Sequence, residues 1–280
     1  MNPKEIILAA LKEDGVFNDI TSKEFINKDK KATAVLISNQ SGVVCGADVF
    51  VNVFKSIDKR CKVSKKIKDC AKIKKGDKIL EISGPAQVIL SGERTALNFL
   101  QHLSGIATLT NRFVALVKGT KTKIYDTRKT LPGYRELAKY AVRCGGGTNH
   151  RMSLSDMVLI KDNHISLSEE LSKKILNFRK KYKNILVEVE CENPAQVGHA
   201  LAAKADIIML DNMGYEQTKK MMALIKKHSN KHYRPEIELS GGINIETIKK
   251  YAKLNADRIS IGMITHSAPA LDITLEINIK

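Results

Sequence analysis

Beyond residue 120, short runs rich in β-branched and other apolar residues recur, and a helix-like stretch follows each run. The runs lie at residues 123–126, 157–160, 185–190, 206–210, 236–239 and 258–261. Repeated βα units predict a parallel sheet, because each helix returns the chain to start the next strand in the same direction. No Gly-x-Gly-x-x-Gly string opens the series, which disfavours a dinucleotide-binding fold. We therefore expect an α/β protein with a C-terminal parallel βα barrel of the TIM type, closed or incomplete.

The first part of the chain follows a different pattern. Residues 2–15 predict a short helix, and residues 32–86 alternate β-rich runs with glycine-containing turns, as in a small sheet. Residues 93–118 carry leucines at helical spacing around Gly105 and predict one or two linking helices. The expected boundaries are an N-terminal α+β sheet domain over residues 1–110, completed by residues 268–280, and a barrel over residues 111–267.

Composition excludes several classes of protein. Hydrophobic residues make up 43% of the 280 residues and charged residues 28%, which excludes a disordered or collagen-like chain. No stretch reaches the roughly 18 apolar residues that a membrane-spanning helix needs, and residues 1–19 lack a signal-peptide layout. We expect no membrane partner, no secretion and a cytoplasmic location.

The five cysteines are Cys45, Cys61, Cys70, Cys144 and Cys191, with no CxxC pair among them. This odd number indicates neither a disulfide framework nor a structural zinc site. Cys144 and Cys191 lie close in sequence to the polar strand ends, but the sequence offers them no catalytic partner. The expected role of both is buried packing.

The net charge of +17 is strong enough to attract nucleic acid, acidic membranes or polyanionic small molecules. A nucleic-acid-binding surface would interleave basic residues with aromatic residues. Aromatic residues make up only 5% of the chain, and Trp is absent. The sequence therefore favours a small anionic partner over nucleic acid.

Polar residues follow the predicted strands, and in a βα barrel these carboxyl ends carry the chemistry. Arg128, His150, Arg151 and Lys161 come from three neighbouring loops, with Arg94 as a further cation from elsewhere. The planar fork of arginine matches carboxylates and phosphates, so the cluster predicts a site for a small dicarboxylate. For an isolated arginine, a surface ion pair is the competing interpretation.

Acidic residues lie at the ends of the same strands. Glu190 and Asp211 can hold Mg²⁺ together with substrate phosphates, or accept hydrogen bonds from ribose hydroxyls. The competing interpretation is a salt bridge to Lys129 or Lys161. Within the strands, Glu188 and Glu238 are expected to face away from the apolar residues, where a buried carboxylate needs a cation, a metal or a ligand as partner.

Glycines follow the last two predicted strands, at the position where βα barrels often bind phosphate through backbone N–H groups. Glycine permits this close approach because it has no side chain. Taken alone, Ser-Gly-Gly marks a turn, but in this position it predicts a 5′-phosphate site. The residues concerned are Ser240, Gly241, Gly242 and Gly262, with His266 following them.

Three strings lie around the predicted site: 126–133 (Asp-Thr-Arg-Lys-Thr-Leu-Pro-Gly), 145–151 (Gly-Gly-Gly-Thr-Asn-His-Arg) and 158–164 (Val-Leu-Ile-Lys-Asp-Asn-His). They resemble the quinolinate phosphoribosyltransferase family, the carboxylating nicotinate-nucleotide pyrophosphorylases of NAD synthesis. The resemblance extends from residue 92 to residue 267, and more loosely to the N-terminal helix.

The resemblance implies transfer of phosphoribose from 5-phosphoribosyl-1-pyrophosphate to quinolinate, releasing pyrophosphate and carbon dioxide and yielding nicotinate mononucleotide, with Mg²⁺ required. It also implies a homodimer or higher homo-oligomer, in which Arg94 reaches the partner's site. By the resemblance, the substrate-binding residues are Arg94, Thr127, Arg128, His150, Arg151 and Lys161. The catalytic residues are Lys129, Lys161, Glu190 and Asp211, with Mg²⁺ on Glu190 and Asp211. The phosphate-binding residues are Lys129, Ser240, Gly241, Gly242, Gly262 and His266.

Two departures from the family pattern lie outside the proposed charges. Ser153 stands where the family usually has glycine, and residues 13–19 carry an altered form of the N-terminal acidic motif. The alternatives within the enzyme class are a paralogue from molybdenum transport loci and a phosphoribosyltransferase for another pyridine acid. The intact 159–164 string favours the quinolinate enzyme.

Overall fold

The computed structural model describes residues 2–167 and 170–278. These residues group into two compact units. Within the described residues, the first unit comprises 2–112, 129–147 and 264–278, and the second comprises 113–128, 148–167 and 170–263. The expected boundaries of 1–110 and 111–267 stay a prediction, and positions 1, 279 and 280 of that expectation lie outside the described residues.

The helices cover most segments between the strands, and a short 3₁₀ turn covers Val16–Asn18. The helices are α1 (Pro3–Glu13), α2 (Ile20–Phe25), α3 (Ala47–Ile57), α4 (Ala86–Leu116), α5 (Arg135–Cys144), α6 (Asp162–Ser166), α7 (Leu171–Lys181), α8 (Pro194–Ala202), α9 (Tyr215–His228), α10 (Ile248–Ala252) and α11 (Met263–His266). None of the helices in the described ranges has the length and apolarity needed to cross a membrane.

The strands divide into antiparallel and parallel sets. They are β1 (Lys31–Ser38), β2 (Gly42–Val43), β3 (Lys62–Lys66), β4 (Lys72–Ile73), β5 (Lys78–Pro85), β6 (Lys123–Tyr125), β7 (Val158–Ile160), β8 (Val187–Cys191), β9 (Ile207–Asp211), β10 (Glu236–Ser240), β11 (Arg258–Ser260) and β12 (Ile273–Asn278).

The first unit contains a four-stranded antiparallel sheet in the order β12-β1-β5-β3, with a short β2-β4 pair beside it in the same unit. Residues from the end of the chain complete this sheet, since Leu36 of β1 lies opposite Leu275 of β12. Helix α3 supplies much of the core through Phe50 and Phe54, whose fully buried rings lie 5.1 Å apart between centroids.

Helix α4 is a single helix in which Gly105 is required by packing. A Cβ atom at this position would clash with the carbonyl oxygen of Pro269 and lie 3.1 Å from the Cα of Ala270. Glycine lowers helix propensity by about 1 kcal/mol relative to alanine. The close approach of the backbone explains why a helix of 31 residues nevertheless contains it.

The second unit contains a six-stranded parallel sheet in the order β6-β11-β10-β9-β8-β7. Within the described residues β6 and β7 form the two edges of this sheet, so it is the incomplete form of the expected barrel. The six apolar runs of the sequence correspond to these six strands, and the predicted α/β class with an N-terminal antiparallel sheet is confirmed. Every residue of β8 is buried.

The prediction that the cysteines form no disulfide was wrong for one pair in the first unit. Cys70 and Cys144 are disulfide-bonded, with their Cα atoms 4.4 Å apart across a sequence separation of 74 residues. The fold brings the exposed Cys70 to the buried Cys144 at the end of α5. Cys191 is buried with a free thiol, in agreement with its predicted packing role.

Candidate active site

The second unit places its polar residues at the carboxyl ends of its parallel strands. Neighbouring strands are in register at this end, because Ser240 of β10 lies beside Asp211 of β9. Each strand contributes at least one candidate: Arg128 after β6, Lys161 after β7, Glu190 in β8, Asp211 in β9, Ser240 in β10 and Gly262 after β11. Residues that the sequence scatters over more than 100 positions therefore share one edge of the sheet.

Two arginines of this edge lie close enough to influence each other. Burial and the neighbouring Arg128 guanidinium both lower the pKa of Arg151. The Nε atom of Arg128 is buried and has no hydrogen-bond partner among the described residues, whereas Nη1 of Arg151 donates to the carbonyl oxygen of Met157 at 3.0 Å. Two close guanidinium groups, one with an unpaired buried N–H, make a site that an anionic ligand would stabilise.

Asp126 organises the loop that carries Arg151, a role that the sequence analysis did not assign. Its fully buried carboxylate accepts hydrogen bonds from Nδ2 of Asn149 at 2.6 Å and from the backbone N–H of His150 at 2.8 Å. The signal in the sequence is an acidic residue directly after the apolar run of β6. It becomes informative only once the 145–151 loop is known to lie beside that strand.

Lys161 and Glu190 form an ion pair in which Nζ of Lys161 contacts Oε2 of Glu190. The salt bridge weighed as an alternative for Glu190 is therefore present in this structure. The lysine side chain is 45% exposed and the glutamate side chain 9% exposed, so the pair lies at the boundary of the buried interior. A ligand that binds Lys161 or Glu190 must therefore break this ion pair and replace it with its own contact.

His150, Glu188 and Glu238 form a buried cluster inside the sheet. Nε2 of His150 lies 3.1 Å from Oε2 of Glu188 and 3.5 Å from Oε1 of Glu238. Glu238 also accepts a hydrogen bond from the hydroxyl of Ser260, and Nη1 of Arg258 lies 4.0 Å from it. His150, Ser260 and Arg258 thus lie near the two strand glutamates, but both carboxylate oxygens of Glu188 and Oε2 of Glu238 are buried without a hydrogen-bond partner among the described residues.

The donors of this cluster do not fit a metal ion, although His150, Glu188 and Glu238 lie within ligand distance of one another. Nδ1 of His150 accepts the backbone N–H of Arg151 at 2.9 Å. Nδ1 is occupied by this hydrogen bond, so Nε2, the ring nitrogen nearest the carboxylates, carries a proton where a metal ligand would need a lone pair.

Glu190 and Asp211 fit a hard cation better. Both offer carboxylate oxygens at the strand edge, and Asp211 accepts a hydrogen bond from Nδ2 of Asn212 at 2.6 Å. Magnesium prefers oxygen ligands and usually retains water and substrate phosphates in its shell. A pair of strand-end carboxylates beside the glycine turn after β10 is a donor set of that kind.

Burial and the nearby Glu238 carboxylate together raise the pKa of Glu188 to about 7, although its contact with His150 lowers the pKa. Burial also disfavours the charged form of His150, but its contacts with Glu188 and Glu238 outweigh this and raise its pKa to about 9. Both groups therefore bind protons more tightly in the folded state than in the unfolded chain.

We expect the stability of the protein to fall between about pH 4.5 and pH 9. Stabilisation from a raised pKa is complete below the unfolded value and is lost as the pH rises through the folded value, near 7 for Glu188 and near 9 for His150. The thermal midpoint, followed by circular dichroism in buffer with a chelator, should decrease across this window. Glu188→Gln should flatten the decrease, whereas the exposed control Glu246→Gln should not. An unchanged slope in Glu188→Gln would contradict this explanation.

The turn after β10 has the backbone of an anion-binding loop. Gly241 and Gly242 both adopt left-handed conformations, with φ of +86° and +63°. A side chain at Gly241 would clash with Oδ1 of Asn212 and lie 2.5 Å from its backbone nitrogen. Successive residues with this geometry direct backbone N–H groups toward a bound anion.

The remaining predicted site residues are distributed between the two units. In the second unit, Thr127 and Gly262 are half-buried. In the first unit, Arg94 is exposed on α4 and His266 is exposed at the end of α11. Lys129 also belongs to the first unit, where its carbonyl oxygen accepts the hydroxyl of Thr265 at 2.8 Å.

Known proteins are similar to this chain over nearly its whole length. The family model for the quinolinate phosphoribosyl transferase N-terminal domain matches residues 19–104, and the model for the C-terminal domain matches residues 106–276. A probable carboxylating nicotinate-nucleotide pyrophosphorylase of Methanocaldococcus jannaschii is 41% identical over 98% of this chain and 96% of its own length. The carboxylating nicotinate-nucleotide pyrophosphorylase of Mycobacterium leprae is 36% identical over 98% of this chain and 96% of its own length.

A solved structure of similar sequence has the same fold. The nicotinate-nucleotide pyrophosphorylase of Francisella tularensis matches with a TM-score of 0.90 and 38% identity, covering 99% of this chain and 96% of that one. Two domain models in the expected order, near full-length relatives and a solved structure with the same fold all indicate one family. The chain belongs to the quinolinate phosphoribosyl transferase family.

Proposed function

We propose that this enzyme transfers the phosphoribosyl group of 5-phosphoribosyl-1-pyrophosphate to quinolinate in NAD biosynthesis. The products are nicotinate mononucleotide, pyrophosphate and carbon dioxide. The observation that carries the proposal is the pair Arg128 and Arg151, in which a buried guanidinium N–H without a partner among the described residues lies close to a second cation. Such a pair fits a pyridine with two adjacent carboxylates.

In this proposal the cations hold the quinolinate carboxylates. Arg128 and Arg151 provide planar forks, and Lys161 provides a mobile charge that can leave Glu190 for the substrate. The resemblance adds Thr127 and His150 to these contacts, and Arg94 completes the site from the partner subunit. Family resemblance assigns these contacts, and the grouping of all but Arg94 in the second unit supports them.

The phosphoribosyl donor lies along the other strand ends in this proposal. Its 5′-phosphate binds the left-handed turn at Ser240, Gly241 and Gly242, while Glu190 and Asp211 accept hydrogen bonds from the ribose hydroxyls. The remaining donor contacts assigned by the resemblance are Lys129, Gly262 and His266. Mg²⁺ held by Glu190, Asp211 and the substrate would offset the negative charge of the pyrophosphate.

The reaction then needs two bond exchanges. The quinolinate nitrogen forms a bond to the anomeric carbon as the bond to pyrophosphate breaks, and the positive charge on the ribose is stabilised by the carboxylates of Glu190 and Asp211. The ring nitrogen becomes cationic, so the bond to the adjacent carboxylate can break with its electron pair passing to the ring. Carbon dioxide leaves and a proton takes its place. Arg128 and Arg151 contribute by fixing the carboxylates throughout.

A direct assay tests the proposal. The purified protein should convert quinolinate, phosphoribosyl pyrophosphate and Mg²⁺ to nicotinate mononucleotide, detected by chromatography, with one carbon dioxide released for each product. Nicotinate supplied instead should give little product, because it lacks the carboxylate that the second arginine would bind. Turnover of nicotinate at an equal rate, or no turnover of quinolinate, would contradict the proposal.

We also propose a homodimer in which Arg94 acts in the partner's site. A dimer formed from Arg94→Ala and Lys161→Ala chains would contain one site with both changes and one site with neither, because a two-fold interface exchanges equivalent residues. Random mixing of the two inactive variants should restore about a quarter of the wild-type activity, since half the dimers are mixed and each has one intact site. Mixed dimers, verified by distinct affinity tags, that remain inactive would show that Arg94 serves its own chain.

Finally, we propose that the enzyme works in the cytoplasm. The three buried thiols of Cys45, Cys61 and Cys191 are free, which suits a reducing compartment, although the Cys70–Cys144 disulfide does not. Cell fractionation with antibody detection would test the location.

A further inference from the structure

Asn212, directly after β9, has a backbone conformation that side chains seldom adopt. Its φ is +53°, in the left-handed region that glycine occupies most readily. Asparagine tolerates this region better than most residues, because its short amide can bond locally. Residues in such sparsely populated backbone conformations cluster at functional sites, where the surrounding structure holds them in place.

Asn212 connects two parts of the proposed donor site through its side chain and its backbone. Its Nδ2 donates to Oδ2 of Asp211 at 2.6 Å, and its backbone N–H donates to the carbonyl oxygen of Ser240 at 3.1 Å. Its amide also lies directly beside Gly241, as the clash expected from a Cβ at Gly241 shows. One residue therefore contacts both the acidic end of β9 and the glycine turn after β10.

We propose that Asn212 is a positioning residue that holds the Asp211 carboxylate in register with the Ser240–Gly242 turn. This inference rests on the proposed function, in which Asp211 takes the sugar and the turn takes the 5′-phosphate. The spacing between those two groups of the donor is set by covalent bonds, so the protein groups that bind them must also be held at a fixed spacing.

The amide is the chemical group suited to this position. Glycine would adopt the same backbone conformation but would leave the Asp211 carboxylate without its donor. Aspartate would keep the size and shape but would place a second negative charge against Asp211 and the bound phosphate. Asparagine alone among these three offers a neutral N–H donor on a left-handed backbone.

The test compares Asn212→Gly and Asn212→Asp with wild type by titration calorimetry and initial rates. Substitution of a group that orients a metal-ligating side chain, as Asp211 is in this proposal, typically costs about 10- to 100-fold in affinity or activity. For Asn212→Gly we expect the Kd of phosphoribosyl pyrophosphate with Mg²⁺ to rise about tenfold, while the Kd of quinolinate stays within about twofold. Asn212→Asp should lose more donor affinity than Asn212→Gly.

Asn255 provides a matched control. It is also a left-handed asparagine, with φ of +54°, and it lies in the turn after α10 where its backbone N–H bonds to Ala252. Asn255→Gly should change neither Kd. An Asn212→Gly protein that binds the donor like wild type would overturn the positioning role, as would equal losses for both substrates together with a lowered thermal midpoint. A wild-type protein that binds neither substrate would instead overturn the proposed function, and the positioning role would fall with it.

Discussion

Arg128→Ala should reduce kcat/KM for quinolinate by about 30- to 4,000-fold. Removing one partner of a desolvated, hydrogen-bonded charge pair costs about 2 to 5 kcal/mol, and each 1.4 kcal/mol corresponds to a factor of ten. The buried Nε of Arg128 without a partner among the described residues is the group whose interaction would be lost. Steady-state kinetics with each substrate varied in turn would measure the effect, and the KM of the phosphoribosyl donor should change much less.

Two further variants separate charge from geometry. Arg128→Lys keeps the charge but loses the planar fork, so its activity should fall between that of wild type and Arg128→Ala. Arg60→Ala removes an arginine of the first unit whose side chain is 75% exposed, and it should leave the kinetics unchanged. Wild-type kinetics in a folded Arg128→Ala protein would remove the main support for the dicarboxylate site.

Gly105→Ala should destabilise the protein, against the usual effect of this substitution in a helix. Alanine gains about 1 kcal/mol in helix propensity. The added Cβ would meet the backbone of Pro269, and overpacking of this kind costs about 3 kcal/mol because a main-chain carbonyl cannot rotate away. The net loss of about 2 kcal/mol in the free energy of unfolding should lower the thermal midpoint by about 4 to 8 °C.

Gly198→Ala is the matched control for this prediction. Gly198 lies inside α8, and a Cβ there would meet no atom of the described structure within 4 Å. With propensity as the only contribution, the substitution should stabilise the protein by up to about 1 kcal/mol. An equal increase in the thermal midpoint for both alanine variants would show that the close contact between Gly105 and Pro269 does not affect stability.

Much of the second unit could be predicted because its sequence pattern is local. The run at 236–239 became β10 (Glu236–Ser240), and the run at 206–210 became β9 (Ile207–Asp211), each within one residue. Polar residues directly after such runs must lie at the carboxyl edge of a parallel sheet. The sequence therefore places Asp211 and Ser240 at the same edge of the sheet.

Other features depended on residues that are distant along the chain. The role of Asp126 comes from contacts with the Asn149 side chain and the His150 backbone N–H, and that of Asn212 from contacts with the turn after β10. Both residues directly follow strands, but the local pattern does not show which distant groups they contact. The Cys70–Cys144 disulfide was missed for the same reason, because no short motif links two cysteines 74 residues apart.

In the second unit, the sequence alone determined which segments become strands, where the strand ends fall and which charges they carry, whereas helix α3 (Ala47–Ile57) lies in a stretch predicted as sheet. These properties follow from periodicity and from short-range backbone preferences, which are encoded within a few neighbouring residues. Only the tertiary structure decided that Lys161 pairs with Glu190, that His150 faces Glu188 and Glu238, and that Gly105 must have no side chain. Pairing and close packing depend on distances between segments, and those distances exist only once the chain has folded.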